Sequence, residues 1–123
     1  MKSFEGRIAV VTGGGTGMGR EIVRQLAAEG CHVSMCDVSD ENMQQAKALA
    51  EAGAPDGTRV STCVADVSSE SDLLAFRTHV AETQQTKHVN LVFNNAGVGG
   101  GGSLIESERE EWEKTFAVCW DGV

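Results

Sequence analysis

Residues 12–19 read TGGGTGMG, five glycines in eight positions directly after the apolar run IAVV. Each glycine raises the conformational entropy lost on folding, so a chain accepts such a cluster only where the backbone must turn or approach something closely. Apolar run, glycine turn and then an amphipathic stretch is the order strand, turn, helix. The amphipathic stretch Gly17–Glu29 places Met18, Ile22, Val23, Leu26 and Ala27 on one face and stops at Gly30. A helix that starts at a glycine turn presents unpaired N–H groups and a partial positive charge, and glycine lets an anion reach them. The glycines could also serve only as turn punctuation.

The same alternation continues along the chain. Arg7–Val11 reads as a first strand and His32–Cys36 as a second, ending at Asp37. Ser39 or Asp40 then caps a helix through Ala52, with Met43, Ala46, Leu49 and Ala50 inward and Gly53 closing it. APDGT at 54–58 is a turn by composition, and Arg59–Ala65 is a third strand ending at Asp66. SESD at 69–72 fits a capping box before a helix carrying Leu73, Leu74, Phe76 and Val80. Val89–Phe93 is a fourth strand, running into NNAG, and SERE at 107–110 would open a last helix with Trp112, Phe116, Cys119 and Trp120. Strands alternating with helices predict an α/β fold, a doubly wound parallel sheet of right-handed βαβ units.

Composition sets the outer limits. The 123 residues suffice for one domain with a core but not for two. The net charge of −8, without a basic cluster, argues against nucleic acid or an anionic membrane as partner. Any phosphate bound here must therefore be held by backbone N–H groups. No run approaches the roughly 18 apolar residues that cross a bilayer, and MKSFEGR has no apolar signal core, so a cytoplasmic location is expected. Cys31, Cys36, Cys63 and Cys119 contain no CxxC pair and read as free core thiols, and no metal site is expected. His32, His79 and His88 are scattered and read as surface or edge residues.

Two phosphate-binding patterns fail at the turn. Gly14 to Gly19 nearly fits the P-loop, but Arg20 and Glu21 stand where it needs a lysine and a hydroxyl, and a glutamate would repel a triphosphate. GxGxxG also fails, because Gly19 follows Gly17 too closely. The pattern that fits is TGxxxGxG, with Thr12, Gly13, Gly17 and Gly19. Asp37 follows Gly19 by 18 positions, at the end of the second strand. Asp66-Val67 ends the third strand and Asn94-Asn95-Ala96-Gly97 the fourth. In this arrangement the chain resembles the short-chain dehydrogenase/reductase family, classical type, and the resemblance runs along the whole chain.

The resemblance implies a Rossmann-like domain over residues 1–123 that covers about the first half of a typical member, leaving the sheet incomplete after the fourth strand. It implies a dinucleotide cofactor held by Thr12, Gly13, Gly17, Met18 and Gly19 at the pyrophosphate, and by Asp37 at the adenosine ribose. Asp66 and Val67 would frame the adenine, and Asn94, Ala96 and Gly97 would border the nicotinamide. An acidic side chain at the second strand accepts hydrogen bonds from ribose hydroxyls and repels a 2′-phosphate, so NAD is expected over NADP. The alternatives, Asp37 as a solvated turn residue and NNAG as a tight structural turn, stay open at this point.

In the family a Tyr-x-x-x-Lys motif supplies the acid/base tyrosine, and this sequence has no tyrosine. Cys119 occupies the position of the family's catalytic asparagine, seven residues after Trp112. No catalytic residue is therefore expected within these residues. The implied function is the cofactor-binding part of an oxidoreductase that moves a hydride between NAD(H) and a carbonyl or secondary alcohol. The alternative is an inactive, truncated relative that binds a nucleotide or another chain. Family members are dimers or tetramers, so a homo-oligomer is expected, and VNLVF at 89–93 would form an exposed apolar sheet edge.

Overall fold

The computed structural model of the protein describes residues 3–97 and Glu113. Four strands and three helices alternate: β1 Ile8–Thr12, α1 Gly17–Ala28, β2 His32–Asp37, α2 Asp40–Gly53, β3 Val60–Val64, α3 Glu70–Gln84 and β4 Leu91–Phe93. The strands form one parallel sheet, as the alternation predicts, and its order is β3-β2-β1-β4. The anticipated helix from residue 107, with Trp112, Phe116, Cys119 and Trp120, lies outside the described residues apart from Glu113.

The strand order reverses between β1 and β4, and right-handed crossovers then send α1 and α2 to one face of the sheet and α3 to the other. Side chains alternate accordingly. Ala9, Val11, Val33 and Met35 meet Val23, Leu26, Ala27, Met43, Ala46 and Ala50 in one core. Cys36 and Val10, from the intervening positions, join Ala65, Val67, Phe76 and Val80 in the second core. Burial on both faces is why these strands read as apolar runs rather than alternating ones.

Three residues expected in the core are on the surface. Met18 is 75% exposed because it lies in the first turn of α1, before the helix meets the sheet. Leu49 and Leu74, 49% and 53% exposed, each stand one position off the buried stripe of their helices, a rotation of about 100°. The capping box at 69–72 is half made. Ser69 Oγ accepts the Asp72 N–H at 3.3 Å, but the Asp72 carboxylate reaches back to the Asp66 N–H at 2.9 Å instead of to Ser69.

The second core also holds polar groups that periodicity did not indicate. Gln84, 2% exposed, donates from Nε2 to Ser34 Oγ at 2.9 Å and accepts from Arg59 Nε at 3.1 Å. Ser34 Oγ in turn lies 2.6 Å from Ser61 Oγ, so the buried amide and hydroxyls satisfy one another. The histidines divide: His88 is exposed, while His32 and His79 are half-buried and burial holds both below the usual imidazole range.

Candidate functional site

The glycine turn leaves the C-terminal end of β1 and is tied to its neighbour strand. The Gly13 and Gly14 N–H groups donate to the Cys36 carbonyl at 2.8 and 3.3 Å. The close approach is tightest at Gly19, where a Cβ would collide with the Gly13 carbonyl, so the first turn of α1 folds back onto the start of the loop only without a side chain. Gly17 differs: its φ of +56° is left-handed, and a Cβ there would meet nothing within 4 Å, because it faces open space.

That open space is a groove of about 480 Å³ along the C-terminal ends of the strands. Gly13, Thr16, Gly17 and Met18 form one wall; Cys36, Asp37 and Val38 line it from β2; and Ala65, Asp66 and Val67 line it after β3. Asn95, Ala96 and Gly97 close it after β4. Strand ends beside the reversal between β1 and β4 are where open α/β sheets bind ligands.

The N-terminus of α1 opens on this groove. Thr16, its N-cap residue, makes no side-chain capping bond, and the first turn contains no acidic residue. The other two helices are finished in the usual way, α2 by Ser39 with Asp40 and Glu41, α3 by Ser69 with Glu70 and Asp72. The α1 end thus keeps backbone donors and positive potential unspent.

Thr12 holds the groove from behind. Its buried hydroxyl accepts the Asn95 and Ala96 N–H groups at 3.1 and 3.0 Å and donates to the Phe93 carbonyl at 3.4 Å. Asn95 Nδ2 donates to the Gly13 carbonyl at 3.2 Å, so the NNAG turn and the glycine turn lock together. Sequence reasoning singled out Asn94, which is exposed and is not among the groove-lining residues; its neighbour Asn95 makes the structural bond. The side chain direction, not the motif, decides between the two.

Asp37 stands at the groove's far wall with its carboxylate engaged: Oδ2 accepts the Gly15 N–H at 2.9 Å, and Oδ1 accepts those of Val38 and Ser39 at 2.7 and 3.3 Å. A carboxylate has room for about four such bonds, so acceptor capacity remains. Asp66 Oδ1 holds the Ser68 N–H and hydroxyl at 2.9 and 2.6 Å. No lysine or arginine lines the groove among the described residues. Burial, with smaller contributions from Cys63 and Asp37, pushes the Cys36 thiol up to about 12, so this groove thiol is inert. A second cavity, about 540 Å³, lies away from the strand ends against Val10, Leu73, Phe76, Val80 and Val89; it is mostly apolar, and none of the motif residues reaches it.

A parallel sheet in the order 3-2-1-4, with a glycine turn and an acidic second strand, defines a Rossmann-like nucleotide-binding class of fold. The family model for short chain dehydrogenase matches residues 7–123, and the chain belongs to this family. Levodione reductase of Leifsonia aquatica is 40% identical over 121 residues, covering 98% of this chain and 44% of that protein. A short chain dehydrogenase/reductase from Burkholderia phymatum in complex with NAD superposes with a TM-score of 0.89 at 34% identity, covering 99% of this chain and 42% of its own. A metagenomic short-chain oxidoreductase in complex with NADP gives 0.85 at 30%, covering 98% and 53%. The chain thus spans about half the length of its relatives or less. Among the described residues no helix is long and apolar enough to cross a membrane.

Proposed function

We propose that this chain is the cofactor-binding part of an oxidoreductase that binds NAD(H) in preference to NADP(H). The single observation that carries the proposal is the groove itself, in which the bare α1 end, the Gly17 gap and an acidic β2 end face one space. A dinucleotide fits these features. Its pyrophosphate matches the unspent N–H groups of α1 and the side-chain-free ridge at Gly17. Its adenosine ribose matches the remaining acceptor capacity of Asp37, and the adenine the apolar wall at Val38 and Val67. Ala96 and Gly97, with Asn95 beside them, border the nicotinamide end.

When bound, the dinucleotide supplies or accepts a hydride, exchanged with a carbonyl or secondary alcohol in the whole protein. The residues of this chain bind and orient it; with no tyrosine in the sequence, the family's acid/base group is not among them. Preference for NAD(H) follows from Asp37, whose charge opposes a 2′-phosphate in a groove that no lysine or arginine lines among the described residues.

Titration with NADH and NADPH, followed by nicotinamide fluorescence and thermal shift, tests the assignment. NADH should bind more tightly than NADPH by at least about tenfold, equivalent to about 1.4 kcal/mol. NADPH binding as tight as NADH would overturn the preference, and no binding of either to the folded protein would overturn the assignment. NADH-dependent reduction of carbonyl compounds by the source protein at its full measured mass tests the hydride-transfer part of the reading.

A further inference from the structure

Gly15 lines none of the groove, yet its peptide groups are gripped from both sides. Its N–H donates to Asp37 Oδ2 at 2.9 Å, and its carbonyl accepts from Arg20 Nε at 2.8 Å. Arg20 extends further: Nη2 reaches the Asn42 carbonyl and Gln45 Oε1, both at 3.3 Å, and so straps the glycine turn to the first turns of α2. The fit allows no side chain, since a Cβ on Gly15 would lie 2.8 Å from Asp37 Oδ2 and 3.0 Å from Asn42 Cβ.

The placement of Arg20 is costly by itself. A cation in the first turn of a helix opposes the positive end of the dipole. Among the described residues every hydrogen-bond acceptor that Arg20 meets is a neutral oxygen, and neither ion pair includes it. A charge at this place adds to the positive potential at the end of α1.

We propose that Arg20 and Asp37 are a pair of positioning residues that clamp the two peptide groups flanking Gly15. The clamp holds the turn in the conformation that receives pyrophosphate. It rests on the dinucleotide reading above and deepens it. Asp37 then has two duties, one toward the ribose and one toward the turn, and Arg20 has only the second. A substitution of Asp37 meant to change cofactor preference therefore loosens the turn as well and weakens NADH and NADPH together.

A double-mutant cycle on the protein tests this, using Arg20→Gln, Asp37→Ala and both together, read by NADH affinity and by amide hydrogen exchange at Gly15 without ligand. Each single variant should weaken NADH by about tenfold, and the double variant by little more than the more damaging single one, because residues acting through one shared turn are not additive. Gly15 exchange should rise in both single variants. Asp37→Asn, which keeps an oxygen for the Gly15 N–H, should restore its protection while still lacking the charge. Fully additive losses, or Gly15 exchange unchanged by Asp37→Ala, would overturn the clamp. Wild-type protein that shows the exchange pattern yet binds no NADH would overturn the dinucleotide reading and leave the clamp standing.

Discussion

Gly17 and Gly19 are two positions apart and do opposite work. Gly19 is needed because backbone occupies the place of its side chain; Gly17 is needed for its φ of +56° and faces empty groove. Gly19→Ala should therefore cost about 3 kcal/mol, the upper end of overpacking, and abolish NADH binding along with it. Gly17→Ala should cost only about 1 kcal/mol, the strain of a left-handed residue, while its methyl intrudes where the cofactor is proposed to lie. Urea unfolding and NADH titration of the two variants check the difference. Cys36 provides a pH handle at the same scale. Its thiol, raised from 9.0 to about 12 by burial, favours the folded state while protonated. That contribution is complete below the unfolded value and is lost as pH rises from 9.0 toward about 12. Urea midpoints should fall across that window, and Cys36→Ala should make the fall shallower.

Among the elements, β1 and β4 are joined by more than their ladder. Thr12 satisfies two N–H groups of the NNAG turn with one buried hydroxyl. Thr12→Val keeps the shape and orphans both donors, an expected loss of about 1–3 kcal/mol, whereas Thr12→Ser keeps the hydroxyl and loses much less. Chemical denaturation of the pair of variants measures it. Element order and type were legible because the segments are long and periodic, and because Ser39 and Ser69 mark the starts of α2 and α3. The solvent-facing Leu49 and Leu74 were not, since a residue at the margin of an apolar stripe is buried only if a neighbour reaches over it. The same limit applies to Asn94 and Asn95: the motif announces a turn, and only the packed turn shows which amide points at Gly13.

At the scale of the whole molecule, the apolar edge to consider among the described residues is β4. Among the described residues β4 ends the sheet, and Val92 is 58% exposed. An unpaired apolar strand is a template for another chain. The 123-residue chain should self-associate as concentration rises, and Val92→Lys should suppress this in sedimentation velocity; a wild-type monomer at every concentration would count against it. By itself the sequence determined the alternation of strands and helices, the class of fold and the family, since these depend on local periodicity and on motifs at fixed spacing. Tertiary structure alone decided which glycine meets backbone and which meets open space, that Gln84 and Ser34 share a buried bond, and that Asp37 and Arg20 hold the turn on either side of Gly15. The Gln84–Ser34 and Asp37–Gly15 contacts join residues remote in the chain, and their distances exist only once the sheet has brought its strands together.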